Sequence, residues 1–339
     1  MTVKVVILNW NGAKHLERFL PSVVSNTPEG VGIVVADNGS TDGSVSLLEE
    51  RFPSVEIVRL PENYGFAEGY NRALSRIEAD CYILLNSDVE TPDGWCRPLT
   101  DALEADSTLA AVSPKIMSLD SPDTFEYAGA CGGFIDALGY PFCRGRILSV
   151  IEKDRGQYDT PCDIFWASGA CMACRSDVFH AVGGFDADFF AHQEEIDLCW
   201  RLYQAGRKIF CFPQSTVYHV GGGTLPKGNP RKTFLNFRNN LTMLWKNLPE
   251  EDLRPVMLWR WLLDYVAAWW TLIGQRNLGD FKAIYRARRA FLAWRHDFDT
   301  DRCFASPEEK AKLPADGRKP YSILWQYHVK GRKHFSDLP

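Results

Sequence analysis

The sequence Val3-Lys4-Val5-Val6-Ile7-Leu8 runs directly into Asn9-Trp10-Asn11-Gly12. An apolar, mostly β-branched run that ends in a polar turn predicts a buried strand. Amphipathic stretches, of which 66–77 and 92–105 are expected to be helices, separate it from further runs at 33–36, 55–60, 82–85 and 110–116. Because such strands need cover on both faces, the sequence predicts an α/β fold with a mostly parallel, doubly wound sheet and helices on both sides.

Polar side chains follow four of these strands, at the carboxyl ends where ligands bind in such sheets. Each group by itself is also typical of turns and helix caps. Four polar loops on one edge of one sheet favour a binding site instead. We expect it to be lined by Asn9 and Asn11 after the first strand, Asp37 and Asn38 after the second, Asn63 after the third, and Asn86, Ser87 and Asp88 after the fourth.

The sequence lacks two common phosphate-binding motifs, which disfavours the dinucleotide-binding and phosphate-loop modes of holding phosphate. No Gly-x-Gly-x-x-Gly follows the first strand, and no Gly-Lys-Ser/Thr phosphate loop occurs in the sequence. Asp88 is a carboxylate at the exit of a buried strand, so it can hold a divalent cation, Mg²⁺ or Mn²⁺, that bridges two phosphate oxygens. The candidates for a further ligand are Asn86, which is weak because it is neutral, and His219.

The densest acidic cluster is Glu194-Glu195-Ile196-Asp197, at the start of a helical spacing that ends at Gly206. One interpretation is that these acids only begin a helix, whose dipole favours carboxylates. The other is that two adjacent carboxylates hold one general base in a fixed direction. Both interpretations remain open from the residues alone.

The net charge is −5 over 339 residues, but its distribution is uneven. Residues 1–225 hold 17 Lys/Arg against 31 Asp/Glu, while residues 226–295 hold 13 against 5. An acidic body argues against nucleic acid as the main partner, because phosphate binding needs a positive field. The N-terminus resembles no signal peptide, so a cytoplasmic protein with reduced thiols is expected. The one CxxC pair, Cys171 and Cys174, is predicted to be buried core.

A tryptophan-rich segment follows the acidic body, with six of the 11 Trp residues between Trp245 and Trp294. Its most apolar part, 258–273, is interrupted by Arg260 and Asp264. The longest uncharged stretch is far shorter than the roughly 20 residues that a membrane span needs. Two interpretations remain open: helices docked on the body, or helices in the interface of an anionic membrane through residues 245–295, which would make the protein peripheral on the inner face.

Eight motifs, in order along residues 3–245, carry a resemblance to glycosyltransferase family 2, in particular to its rhamnosyltransferase-like bacterial members. They are Val6-Ile7-Leu8-Asn9-Trp10-Asn11, Asp37-Asn38-Gly39-Ser40-Thr41-Asp42, Glu62-Asn63-Tyr64-Gly65-Phe66-Ala67, Leu85-Asn86-Ser87-Asp88, Ser168-Gly169-Ala170, Gly184-Phe185-Asp186, Glu194-Glu195-Ile196-Asp197-Leu198-Cys199-Trp200-Arg201 and Tyr218-His219.

The resemblance implies a GT-A fold, with a catalytic domain at 1–225 divided into a nucleotide-sugar half (1–117) and an acceptor half (118–225). A helical appendage (226–300) and a C-terminal tail (301–339) would follow. It also implies an inverting transfer of a sugar from a nucleoside diphosphate donor, dTDP-rhamnose or a UDP-sugar. The acceptor would be a hydroxyl of a saccharide or a lipid-linked acceptor in polysaccharide assembly.

The family's functional residues map onto this chain one by one. Asp37 matches the acid that reads the donor base, and Asp88 matches the last acid of the Asp-x-Asp motif, whose first acid is here Asn86. His219 matches the family's downstream histidine, which completes the metal site or touches the diphosphate. The family's catalytic base falls on Glu195, here longer by one methylene, with Glu194 as the alternative. We add Arg238 as a candidate diphosphate contact.

Two other functions compete with glycosyl transfer. A sugar-1-phosphate nucleotidyltransferase would show a glycine-rich, basic loop after the first strand, and Asn9-Trp10-Asn11-Gly12 has neither character. A non-catalytic scaffold that binds sugar nucleotides is permitted by the departures at Asn86 and Glu195. Base-specific, metal-dependent binding without transfer would favour the scaffold.

Overall fold

The computed structural model describes residues 1–221, 229–295 and 317–339. Within them the strands are β1 (Val3–Asn9), β2 (Val31–Asn38), β3 (Glu56–Leu60), β4 (Cys81–Asn86), β5 (Val89–Glu90), β6 (Leu109–Ser118), β7 (Gly133–Ile135), β8 (Pro141–Cys143), β9 (Arg146–Ile147), β10 (Val150–Ile151), β11 (Cys162–Asp163), β12 (Cys171–Arg175) and β13 (Lys208–His219). The helices are α1 (Ala13–Asn26), α2 (Ser44–Arg51), α3 (Gly65–Leu74), α4 (Arg97–Ala105), α5 (Ser176–Ala181), α6 (Glu194–Gln204), α7 (Pro230–Asn247), α8 (Glu250–Ile273), α9 (Leu278–Trp294) and α10 (Ile323–His328).

A nine-stranded sheet organises the chain, in the order β11-β13-β6-β12-β4-β1-β2-β3, with β5 paired to β13. Strands β3, β2, β1 and β4 are parallel to one another, and β13 is parallel to β6. Strand β12 runs antiparallel to both β4 and β6. Strands β1, β2, β4 and β13 therefore end on the same edge, which brings together residues far apart in the sequence.

Each face of this sheet has its own core. Side chains alternate along β1, so that Val5 and Ile7 enter one core with α1, α2 and α4, while Val6 enters the other with α3, α5 and α6. This confirms the predicted α/β fold. The helix predicted at 66–77 is α3, and the one predicted at 92–105 begins only at Arg97. Cys171 and Cys174 are buried in β12, as predicted.

A smaller sheet of β10, β9, β8 and β7 lies in the predicted acceptor half. The C-terminal residues pack on it, since the ring of Phe335 lies 5.0 Å from that of Phe134. The Ile323 backbone amide also donates to Asp136 Oδ2 (2.8 Å). Residues 317–339 are therefore part of the folded body. The boundary predicted between residues 225 and 226, and residues 301–316 of the predicted tail, lie outside the described residues.

Three helices, α7, α8 and α9, form the expected C-terminal helical group. Helix α7 packs on α6, and α9 packs along both α7 and α8. Docking on the body, one of the two interpretations of this segment, is thus observed. None of the helices in the described part of the chain combines the length and the apolar character of a membrane span.

Candidate active site

The loops after β1 and β2 are joined by their polar side chains. Asn9 Nδ2 donates to Asp37 Oδ1 and to Ser40 Oγ, both at 3.2 Å, and the Ser40 amide donates to Asp37 Oδ2 (3.1 Å). Asp37 is 4% exposed. Asn9 Oδ1 is buried and has no partner. The parallel pairing of Asn9 with Asp37 across β1 and β2 places these groups side by side.

Three of the other predicted asparagines stabilise loops at the same edge. Asn38 accepts from the Tyr64 amide (3.1 Å) and donates to Asn63 Oδ1 (3.2 Å), which links the loops after β2 and β3. Asn11, with a φ of 50°, accepts from the Thr41 amide at 2.7 Å. Their donor-binding roles stay predictions, and the observed contacts show how they shape the edge.

Asp88 and His219 form the central pair of the edge. His219 Nε2 lies 3.1 Å from Asp88 Oδ1, and the two residues are 6% and 7% exposed. They meet because β5, directly after Asp88, pairs with the end of β13 at Val89 and His219. Burial lowers the pKa of the imidazole, but the carboxylates of Asp88 and Glu126 outweigh burial and raise the pKa of His219 to about 10.

Glu126, which belongs to no motif in the sequence, lies behind this pair. Its Oε1 is 3.7 Å from His219 Nδ1, its Oε2 accepts from the Ala128 amide, and the residue is 6% exposed. At this distance the contact is an ion pair rather than a hydrogen bond, and the charge of Glu126 contributes to the raised pKa of the ring. Only the pairing of distant segments reveals this role, so sequence reasoning could not find it.

A divalent cation fits the Asp88–His219 pair. One hard carboxylate oxygen and one imidazole nitrogen face each other closely enough for one ion to contact both, and the imidazole would release its proton when the ion binds. Within the described residues no cluster of three or more His, Cys, Asp or Glu side chains could hold a metal by itself. The remaining ligands would therefore come from a bound diphosphate, as is common for Mg²⁺ sites. Asn86 and Ser87 lie half-buried beside Asp88.

The glutamate pair lies at the start of α6, as the acidic cluster predicted. Among the described residues, Oε2 of each glutamate is buried without a hydrogen-bond partner. Burial raises the pKa of Glu195 to about 7. Burial and the neighbouring charges of Glu195 and Asp197 hold the pKa of Glu194 well above its ordinary value. The unpartnered Oε2 of each carboxylate and the raised pKa of Glu195 favour the general-base interpretation over the helix-start interpretation.

The segment that leads into the glutamates has an unusual backbone. Phe190, His192 and Gln193 have φ values of 64°, 71° and 73°, each of which costs a non-glycine residue about 1–3 kcal/mol. Asn239 of α7 holds this segment, since its Nδ2 lies within 3.0 Å of the carbonyl oxygens of Phe189, Ala191 and His192. The Phe66 amide also donates to the Phe190 carbonyl (2.8 Å), so the loop after β3 contacts the same segment.

Arg238, the predicted diphosphate contact, also lies against this segment. Its Nη2 donates to the carbonyl oxygens of Asp188 (3.1 Å) and Phe189 (3.2 Å), and its guanidinium lies 4.6 Å from the Trp294 ring centroid. The structure therefore places Arg238 against the backbone segment that precedes the glutamates. Its contact with a diphosphate stays a prediction. Across the described chain, no hydrogen bond joins the glutamates to Asp88 or His219.

A buried ionic network holds α6 against α7. Asp197 accepts from Arg201 Nε (2.9 Å), Asn247 Nδ2 (2.8 Å) and Lys246 Nζ (3.1 Å). Lys246 also donates to Asp186 Oδ2. Asp197, one of the three acids of the cluster, therefore has a structural role, and the charges of Lys246 and Arg201 outweigh burial and lower its pKa.

We expect Lys246→Met to lower the free energy of unfolding by about 3–5 kcal/mol, because it leaves Asp197 and Asp186 buried with too little positive charge. Chemical denaturation followed by circular dichroism measures this loss. Lys14→Met, which removes an exposed lysine of α1, is the control and should change the stability by less than about 0.5 kcal/mol. A loss below about 1 kcal/mol for Lys246→Met would contradict the structural role of the network.

The profile of Glycosyl transferase family 2 matches residues 4–183. The match covers more than half of the chain, and the chain belongs to this family. A relative from Mycobacterium tuberculosis, N-acetylglucosaminyl-diphospho-decaprenol L-rhamnosyltransferase, is 29% identical over 229 residues, which are 63% of this chain and 75% of that protein. The succinoglycan biosynthesis protein ExoA of Rhizobium meliloti is 28% identical over 328 residues, which are 87% of this chain and 93% of that protein.

Solved structures of glycosyltransferases share the fold. GalNAc-T7 with UDP, GalNAc and Mn²⁺ aligns with a TM-score of 0.59 and 17% identity, over 98% of this chain and 57% of that chain. The mannosyltransferase PcManGT from Pyrobaculum calidifontis in complex with GDP-Man and Mn²⁺ aligns with a TM-score of 0.53 and 16% identity, over 86% of this chain and 75% of that chain. These likenesses confirm the expected GT-A fold.

Proposed function

We propose that this glycosyltransferase moves a sugar from a nucleoside diphosphate donor to an acceptor hydroxyl, with inversion at the anomeric carbon and with a divalent cation. The donor is dTDP-rhamnose or a UDP-sugar, and the acceptor is a hydroxyl of a saccharide or of a lipid-linked acceptor in polysaccharide assembly. The observation that carries the proposal is the buried Asp88–His219 pair on the edge where Asp37 also lies. The rhamnosyltransferase among the relatives, named for a decaprenol-linked acceptor, supports the choice of substrates.

The chemistry follows from what each group can do. Asp37 accepts a hydrogen bond from N3–H of a uracil or thymine base. Glu195 accepts the proton of the acceptor hydroxyl, whose oxygen then attacks the anomeric carbon from the side opposite the diphosphate. The bond to the diphosphate breaks as the new glycosidic bond forms. A cation held by Asp88 and His219 would supply positive charge for the departing diphosphate.

The charge of residues 1–225 and the free cysteines support two further parts of the proposal, which are the class of ligand and the cellular compartment. Nine described cysteines are free thiols, which supports a reducing compartment such as the cytoplasm. The negative balance of residues 1–225 supports a small sugar nucleotide, neutralised by a cation, over a nucleic acid.

We expect Asp37→Ala to weaken the binding of UDP or dTDP about 10- to 100-fold, because it removes a hydrogen bond from a carboxylate to the base. Calorimetry with the nucleoside diphosphates alone measures this, and a thermal-shift screen of UDP- and dTDP-sugars with and without Mn²⁺ identifies the donor. The control is Asp42→Asn, which changes an exposed acid of the same loop. Equal affinities for wild type and Asp37→Ala would show that Asp37 only shapes the turn.

A non-catalytic scaffold is the second candidate. It predicts donor binding that depends on the base and the metal, with no product after long incubation. The raised pKa of Glu195 and its unpartnered oxygen favour the enzyme, because a scaffold has no use for a buried, basic carboxylate.

A further inference from the structure

The long helix α8 has the reverse of the polarity expected on a protein surface. Between residues 255 and 273 its charged residues are Arg260 and Asp264, and these are 2% and 0% exposed. Its exposed side chains in the same range are all apolar. They are Pro255, Leu258, Trp259, Trp261, Leu262, Val266, Trp269, Trp270 and Ile273, which we call the outer face of α8.

Internal contacts fix this orientation of the helix. Asp264 accepts from Arg260 Nε (3.2 Å) and from Arg288 Nη1 of α9 (2.9 Å). The guanidinium of Arg260 lies 4.1 Å from the ring centroid of Tyr140 in the acceptor half. Rotating the helix to bury its tryptophans would break the contacts of Arg260 and Asp264 with Tyr140 and Arg288, and it would leave charged groups without their partners. The outer face is therefore held toward the outside by the fold itself.

Positive charge accompanies the outer face. From residue 253 to 295 the acidic residues are Asp264 and Asp280, and both are buried. The exposed charged residues of this stretch are all basic: Arg254, Arg276, Lys282, Arg286 and Arg289. Three of them follow the i, i+4, i+7 spacing of one face of α9, so they form a basic stripe (Lys282, Arg286 and Arg289) on the helix that packs against α8.

The geometry points to α8 as an interfacial membrane helix, whose outer face lies flat in the headgroup region of an anionic lipid bilayer while the basic stripe contacts lipid phosphates. At 24 residues the helix is about 36 Å long. Tryptophan is the residue that best suits the boundary between headgroups and acyl chains. A basic segment beside an apolar helix face is typical of binding to anionic membranes.

The charge also decides between a bilayer and a second copy of this chain. Two outer faces packed together would bring two sets of exposed basic residues near each other, whereas the exposed acids of α8, Glu250 and Glu251, lie in its first turn, before the outer face begins. An anionic surface attracts the same residues. The inference deepens the proposed function, because a lipid-linked acceptor would be met at this surface, but its test needs neither donor nor acceptor.

The test is flotation of the full chain with vesicles of phosphatidylcholine, either alone or mixed with the anionic lipid phosphatidylglycerol, as the probe. We expect binding to the anionic vesicles that weakens as salt is added. The variant Trp259→Gln/Leu262→Gln/Trp270→Gln should reduce the partition coefficient at least about 100-fold. Lys282→Glu/Arg286→Glu/Arg289→Glu should reduce it about 100-fold on anionic vesicles and remove the salt dependence.

Matched variants separate this inference from the proposed function. Trp325→Gln changes a tryptophan that is 54% exposed on α10, and it should bind vesicles like wild type. Glu195→Gln should also bind like wild type although its transfer of sugar is expected to be much slower. Brominated lipids should quench the tryptophan fluorescence of the unmodified protein, which keeps the test valid if a triple variant misfolds. No flotation, no quenching, or a wild-type dimer that the apolar variant dissociates would each overturn the inference.

Discussion

Glu195→Gln should lower single-turnover transfer by about 10²–10⁴ while the affinity for the donor stays unchanged. The substitution keeps the shape of the side chain at the start of α6 and removes its ability to accept a proton. Because the Oε2 atom of Glu195 has no hydrogen-bond partner among the described residues, the loss of charge breaks no hydrogen bond of that atom there. Rapid-quench transfer measured beside calorimetric donor affinity separates chemistry from binding.

The same carboxylate should set the pH dependence of the wild-type enzyme. Burial raises the pKa of Glu195 to about 7, and only the ionised form can accept a proton. Transfer should therefore be full above about pH 7 and fall about tenfold per unit below it, and this acid limb should be absent from the residual rate of Glu195→Gln.

Glu194→Gln is the comparison that locates the base. Glu194 lies one residue earlier, and burial and the charges of Glu195 and Asp197 hold its pKa well above its ordinary value. We expect a smaller loss of transfer than for Glu195→Gln. A larger loss would place the base at Glu194, and two nearly active variants would leave the pair with a structural role only.

Asp88→Ala should abolish the gain in donor affinity that Mn²⁺ provides, and should weaken Mn²⁺ binding in the presence of UDP by about 100-fold or more. The substitution removes the one carboxylate that faces His219 Nε2. Loss of a group that only orients a metal ligand costs 10–100-fold, so loss of a ligand should cost at least as much. Electron paramagnetic resonance of free Mn²⁺ during titration measures the binding without any turnover.

Two controls accompany Asp88→Ala. Asp88→Asn keeps the volume beside the buried His219 and should lose Mn²⁺ binding in the same way, which excludes misfolding as the cause. Glu90→Gln changes an exposed acid on β5, two residues away, and should bind Mn²⁺ like wild type. If the donor affinity of both Asp88 variants still depends on the cation, the assignment of the metal site to Asp88 and His219 is wrong.

The parts of the site that the sequence predicts are those set by local pattern. The run Val3–Leu8 and its polar end placed Asn9 and Asp37 at one edge, because parallel strands end together. The acidic cluster before a helical spacing placed Glu194 and Glu195 at the start of α6. In both cases the signal is a short stretch of chain, whose geometry depends on few other residues.

The parts that the sequence did not predict depend on contacts between distant segments. Glu126 supports His219 only because β6 and β13 are neighbours, and nothing in the residues around Glu126 indicates a site. Asn239 and Lys246 lie in a segment whose composition indicated only that it is basic and tryptophan-rich. In the structure Asn239 binds the backbone just before the glutamates, and Lys246 binds Asp197 in the first turn of α6. The pattern of apolar runs also does not predict that β12 lies between β4 and β6 and runs antiparallel to both.

The hydrogen bonds from Asn239 to the segment before Glu194 have a consequence for the folding of the chain during its synthesis. The ribosome makes the chain from its N-terminus, so β1 to β13 and the Asp88–His219 pair can assemble before α7 has been made. The three carbonyl groups that Asn239 binds lie 47 to 50 residues earlier in the chain. A nascent chain that has reached only β13 can therefore form the sheet edge that carries Asp88 and His219 before Asn239 is available to hold the segment ahead of the glutamates.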